Sequence, residues 1–225
     1  MLTPEENDLL CRVEGNAPMG QLMRRHWIPA LMSEELVTDG KPVRVKLLGE
    51  ELVAFRNSEG KVGLLDEFCP HRGPSLAYGR NEQCGLRCLY HGWKFDIEGN
   101  VVEMPSEPVG TPMKEKTKIK SYPTAEVGGF VWAYMGPAAE KPAFKRPPFS
   151  PDESTQTHDY ARITVYVAPF ISLIPPNSSY NVASVVVPAD DTSTWFYFIS
   201  WGGTDTVGTD EWRAFNHLVK GVDID

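Results

Sequence analysis

The stretch CPHRGPSLAYGRNEQCGLRCLYHGW, residues 69–93, sets Cys69 and His71 one residue apart, then, after an interval of sixteen residues, Cys88 and His91 two residues apart. Glycine or proline sits beside each pair. Each short loop therefore offers one thiolate and one imidazole, like the two jaws of a clamp. These are soft to borderline donors, suited to zinc, iron or an iron–sulfur centre. Structural zinc usually takes two cysteines from one knuckle and two histidines from another, or four cysteines. Here each knuckle gives one of each, which suits a two-iron cluster with unlike ends.

The flanks read as strands. VRVKLLG and ELVAFRN are short β-type runs, and NSEG at 57–60 is a turn signal between Phe55 and Val62, which predicts a hairpin. VGLLDEF leads into Cys69 and GLRCLY into His91. WKFDIEGNVVE predicts a further hairpin about Gly99, and GGFVWAYMG is an apolar strand. Residues 41–136 are thus expected to form a small antiparallel β domain with the jaws on two of its loops.

Residues 1–40 read as a helical arm. Thr3-Pro4-Glu5-Glu6 is a capping-box start with proline at the first helical position. A second start at Pro18 carries Met19, Leu22, Met23 and His26 at helical spacing and is stopped by Pro29. Residues 137–154 are a linker, with prolines at 137, 142, 147, 148 and 151. From Tyr160 strands return in ARITVYVAPF, YNVASVVVP and TSTWFYFISW, giving residues 155–225 a second sheet. The fold class is α+β, mainly antiparallel β.

The chain has 225 residues, 41% hydrophobic and 23% charged, enough apolar matter for a real core in a soluble globular protein. Its formal net charge of −8 repels polyanions and argues against a nucleic-acid partner. No apolar run approaches the roughly 20 residues of a membrane-spanning helix. The start MLTPEENDLL lacks the basic-then-apolar order of a signal peptide, so the expected location is the cytoplasm. In that reducing setting clustered Cys and His mean metal or catalysis rather than disulfides. Cys84 is expected to be a loop or core thiol, Cys11 a core thiol on the first helix, and His26 a packing residue or a partner for the helix end.

Two histidines in place of two cysteines on one iron is the Rieske [2Fe–2S] arrangement. CPHRG followed by CLYHGW resembles the Rieske centre of bacterial aromatic-ring-hydroxylating oxygenases. MLTPEENDLL and PMGQLMRRHWIPAL resemble the N-terminal arm of the phthalate 4,5-dioxygenase group of large subunits, and GGFVWAYMGP and APFISLIPPNSSYNV are similar to that group. The resemblance implies a cluster held by Cys69, His71, Cys88 and His91. Neutral imidazoles make such a centre less negative and raise its potential to roughly −150 to +300 mV, against about −400 mV for an all-cysteine cluster. The imidazoles are expected to face solvent or a partner. Gly73, Pro74, Gly85 and Gly92 would let backbone N–H groups approach the sulfurs, Pro70 and Pro74 stiffen the first loop, and Trp93 and Tyr90 shield the second.

By the same resemblance the chain is expected to be the oxygenase component of a dioxygenase. It would take electrons from NADH through a flavin/[2Fe–2S] reductase and pass them to a mononuclear non-haem Fe(II). There O2 would add as a cis-diol to an aromatic carboxylate such as phthalate, in a homotrimer. An O-demethylating monooxygenase is the near alternative. A Rieske electron-transfer protein without oxygen chemistry is the alternative of another class, and a structural zinc module is a third.

The family holds its mononuclear iron with two histidines and a carboxylate, its histidines close together in a helical segment. Of the five histidines here, His158 and His217 stand far apart and read as surface residues, so the catalytic residues stay unassigned. Residues 155–225 therefore read as a partial helix-grip-like catalytic domain, with a segment missing near 154–157 and another after Asp225. Asp190 and Asp191 are expected to form a turn, and Trp195–Phe198 a packed strand. Arg162 and Arg213 are candidates to meet an anionic ring.

Overall fold

Asn57 builds the turn that organises the first sheet. Its Oδ1 accepts N–H bonds from Glu59 and Lys61, and Gly60 takes φ +78°, a backbone that glycine adopts without steric cost. In the computed structural model, which describes residues 2–108, 112–145, 165–167, 170–174 and 181–201, this turn joins Glu50–Arg56 to Val62–Asp66 as the expected hairpin.

Numbered along the chain, the strands begin with β1 (Trp27–Met32), β2 (Val43–Leu47), β3 (Glu50–Arg56) and β4 (Val62–Asp66). β3 lies between β2 and β4 in an antiparallel sheet. Its residues Leu52, Val53, Ala54 and Phe55 are all fully buried. Successive strand residues point to opposite faces, and here both faces are covered. Leu52 and Ala54 enter one apolar core, Val53 and Phe55 a second.

The second core underlies the jaws. β5 (Arg80–Glu82), β6 (Gly85–Arg87), β7 (Lys94–Phe95) and β8 (Val101–Glu103) form an antiparallel meander. Leu86, Trp93, Phe95 and Val101 point from it into that core with Leu76 and Ile119. The β4–β5 connection carries Cys69 and His71, and the β6–β7 connection carries Cys88 and His91.

The first core lies on the other side. β9 (Thr124–Val127), β10 (Phe130–Tyr134) and β1 make a sheet in the order β1-β10-β9. Of the N-terminal arm, helices α1 (Pro4–Cys11) and α2 (Pro18–Met23) are present. The Thr3–Glu6 capping box forms in both directions, an N-cap worth about 1 kcal/mol. The helical periodicity that predicts a helix up to Pro29 is overridden. Trp27–Met32 is instead strand β1, pairing with β10 and burying Ile28, Ala30 and Leu31. Pro29, which cannot donate to the ladder, sits where the register slips between Pro29 and Leu31.

The last sheet runs in sequence order: β11 (Val165–Val167), β12 (Ile171–Ile174), β13 (Asn181–Pro188) and β14 (Thr194–Trp201). β12 was not foreseen as a strand. Its mate β13 sends Ala183, Val185 and Val187 into the first core beside Val13, Leu31 and Phe130. This sheet therefore shares its core with the domain before it. The Asp190–Asp191 turn reinforces the seam: Asp191 accepts N–H bonds from Val13 and Glu14, and Lys46 of β2 pairs with Asp190. Along β14, Tyr197 and Ile199 pack on the core while Phe196 is exposed. The expected break near 154–157, with His158, Arg162, Arg213 and His217, lies outside the described residues. No helix among the described residues is long and apolar enough to cross a membrane.

Candidate metal centre

The jaws are two copies of one loop. In the first, the N–H of Cys69 donates to the carbonyl of Pro74 and the N–H of Gly73 donates to that of Cys69. In the second, Cys88 N–H donates to Trp93 and Gly92 N–H to Cys88. Each bond thus recurs at the same spacing from the cysteine. Each loop turns on a glycine with positive φ, +75° at Gly73 and +77° at Gly92. The common frame brings both thiols to the inside, 2% and 3% exposed, while both imidazoles are half-buried at the rim.

The sequence-predicted donors come together. The rings of His71 and His91 lie 4.7 Å apart. Burial pushes the Cys69 thiol up, to about 11, against the N–H groups of His71 and Arg72, which pull it down, and the neighbouring Cys88 adds to the rise. Trp93 covers the first jaw rather than the second: its indole stacks on His71 at 4.5 Å with planes 3° apart, anchored by Nε1 donating to Ser106 Oγ at 2.9 Å. Tyr90, mostly exposed, lies against His91 with ring centroids 3.9 Å apart.

The donor set fits an iron–sulfur centre. His91 Nδ1 is buried and has no hydrogen-bond partner, a costly state for a polar atom that a metal bond would relieve. A tetrahedral zinc needs four donors at one point, whereas each iron of a Rieske centre takes two from the protein. Of the other thiols, Cys11 is exposed on α1, contrary to its expected core position, because α1 buries no residue. Cys84 is half-buried in the β5–β6 turn at φ +58°. His26 is exposed between α2 and β1.

Charges that the motif did not reveal support both loops. Buried Glu67, two residues before Cys69, accepts from Arg44 Nε at 2.7 Å and from Ser75 Oγ at 2.5 Å. Behind the second jaw, Arg87 meets Glu82 and Glu103. Strand alternation was the available signal: Leu86 points inward, so Arg87 must lie on the opposite face. A cavity of about 890 Å3 lies elsewhere, beside Arg24, Glu50 and Tyr122. Its central carboxylate, Glu50, is occupied by Arg24, Lys120 and Tyr122.

Comparison with known proteins agrees with this geometry. Residues 26–123, which include all four donors, match the Rieske [2Fe-2S] domain, and residues 151–225 match the family described as LigXa C-terminal domain like. The phthalate 4,5-dioxygenase oxygenase subunit of Pseudomonas putida is 43% identical over 308 residues, covering 100% of this chain and 70% of that protein. The chain belongs to the Rieske oxygenase family. The matched span of that relative is longer than the 225 residues here, so it carries residues for which this Rieske oxygenase chain has no counterpart. The 3-chlorobenzoate-3,4-dioxygenase oxygenase subunit of Comamonas testosteroni is 51% identical over 65% of this chain, which spans 34% of that relative's length. A crystal structure of dicamba monooxygenase shares the fold, with a TM-score of 0.65 at 20% identity over 87% of this chain and 80% of that one.

Proposed function

We propose that this chain is an oxygenase component whose Cys69, His71, Cys88 and His91 hold a Rieske [2Fe–2S] cluster. When bound, the cluster supplies reversible one-electron storage at a potential raised by its two imidazoles. The chain's own part is to bury the two thiols, present the two imidazoles at the rim, and exclude water with the Trp93 indole. The observation that carries this reading is the pair of matched loops, one thiol and one imidazole from each, with His91 Nδ1 left free.

The electron source in this reading is a flavin/[2Fe–2S] reductase fed by NADH. The acceptor is a mononuclear non-haem iron that uses O2 to dihydroxylate an aromatic carboxylate such as phthalate, in a homotrimer. The full-length likeness to the phthalate enzyme supports that substrate class. No pair of histidines at short spacing outside the jaws is present in the 225 residues. The longer matched span of the relative supports an interior segment missing from this chain near 154–157.

Iron and acid-labile sulfide analysis tests the reading directly. The purified chain should hold about two irons and two sulfides and, when reduced, give a rhombic EPR signal. Substituting any of the four ligands should abolish both. Zinc without sulfide would overturn the assignment. A form of the chain that also carries the missing interior segment should bind a third iron and show phthalate-dependent O2 uptake; two irons without uptake in that form would leave a plain electron carrier.

A further inference from the structure

Arg87 stands on the strand stem of the second jaw, one residue before Cys88, and uses all three nitrogens of its guanidinium. Nε donates to Glu82 Oε1 at 2.5 Å, Nη2 to Glu103 Oε2 at 2.6 Å, and Nη1 to the carbonyl oxygen of Gly92 at 2.8 Å. The first two contacts lie across the meander and make an ordinary strut. The third reaches into the jaw itself. Lys94, directly opposite Arg87 in the β6–β7 ladder, also pairs with Glu103, so the strut is braced from two strands. The Arg87 side chain is 14% exposed, shielded enough from water for its contacts to keep their strength.

The Gly92 carbonyl is a sensitive point to hold. It belongs to the peptide that joins Gly92 to Trp93. On one side of that peptide is His91, with its unpartnered Nδ1. On the other is Trp93, whose ring lies flat on His71 of the opposite jaw. Trp93 also accepts the N–H of Cys88. A shift of this peptide displaces the Gly92 and Trp93 main chain, which lies next to His91, carries the indole on His71 and leads into the Trp93 carbonyl that holds Cys88.

The geometry points to Arg87 as a positioning residue that locks the Gly92–Trp93 peptide and thereby holds the His91 and His71 rings 4.7 Å apart, where they would receive the cluster. The inference rests on the Rieske reading above. Lysine could keep the charge but not the planar three-way fork, so charge and geometry are separable.

The test uses the whole 225-residue chain as wild type, R87Q, R87K and E103Q. A control, R56Q, removes an arginine bonded to Glu126, Leu36, Ser33 and Gly60 instead. Three quantities are read: the rate of visible bleaching under an iron chelator, the EPR g-values of the reduced centre, and the unfolding midpoint of the apoprotein. R87Q is expected to lose its cluster about tenfold faster or more, the usual scale for removing an outer support of a metal ligand, with altered g-values. R87K should recover only part of this, and E103Q should shift in the same direction by less. R56Q should lower the midpoint without changing bleaching or g-values. If R87Q does not fold, E103Q and R87K carry the same comparison. Wild-type bleaching rates and g-values in the Arg87 and Glu103 variants, or equal acceleration in R56Q, would overturn the inference while the Rieske reading stood. A wild-type chain without iron and sulfide would instead bring down the reading beneath it.

Discussion

Alanine placed at the two jaw glycines should separate backbone strain from crowding. Gly73 and Gly92 occupy nearly the same φ, +75° and +77°. An L-residue there costs about 1–2 kcal/mol. The surroundings differ. A Cβ on Gly73 meets no atom within 4 Å, whereas one on Gly92 would lie 2.8 Å from Pro105 Cγ and 3.9 Å from Arg87 Nη1. Crowding of that kind adds roughly 1–3 kcal/mol. G73A should therefore lose about 1–2 kcal/mol, and G92A about 2–5 kcal/mol. Asparagine tolerates positive φ better than alanine, so G73N should recover most of the G73A loss. Urea unfolding of the apoprotein, followed by circular dichroism at constant slope, measures all three. Equal losses for G73A and G92A, or G73N no better than G73A, would refute the separation.

Further outcomes are expected elsewhere. Hydrogen bonds from Lys94 and Arg87 hold the Glu103 carboxyl down to about 2, from an ordinary 4.5. Its support of the second jaw is thus complete above about pH 4.5 and lost as pH falls through about 2; with 43% of the side chain exposed the effect should be modest, and E103Q should flatten the acid limb of a pH–stability curve. D191A should free the N–H groups of Val13 and Glu14, loosening the seam and exposing the N-terminal arm to limited proteolysis. S106A leaves the Trp93 indole N–H without its partner, a loss of about 1–3 kcal/mol that should also shift tryptophan fluorescence. Because burial holds the Cys69 thiol protonated well above neutral pH, its proton must leave before metal binds, so reconstitution of the apoprotein followed by visible absorbance should speed up as pH rises from about 7 to about 9.

Local chemistry made much of this fold legible. The Thr3–Glu6 box, the Asn57–Gly60 turn and the Gly99 hairpin each depend on side chains within a few residues of one another, and each appears where expected. Trp27–Met32 misled because Met19, Leu22, Met23 and His26 carry a helical period up to its edge, while a remote strand, β10, sets the backbone beyond His26. Ile171–Ile174 was missed because so short an apolar run has no period of its own. At the candidate site the four donors stood in the motif, but their supports did not. Glu67 finds Arg44 across 23 residues and Arg87 finds Glu103 across 16. The β2-β3-β4 sheet brings the first pair together and the meander the second. Trp93 was expected to guard its own loop and guards the other, since a sequence does not state which way an indole leans.

The joint between the two halves limits how the protein can be divided. Val13 and Leu31 from the arm and first strand, Phe130 from β10 and Val185 from β13 meet in one apolar mass. Cutting the chain at the proline-rich stretch would not liberate a free-standing redox module. It would leave a raw hydrophobic flank that invites aggregation. Transplanting the metal-bearing half onto a foreign catalytic body would require matching that flank before any chemistry could be exchanged.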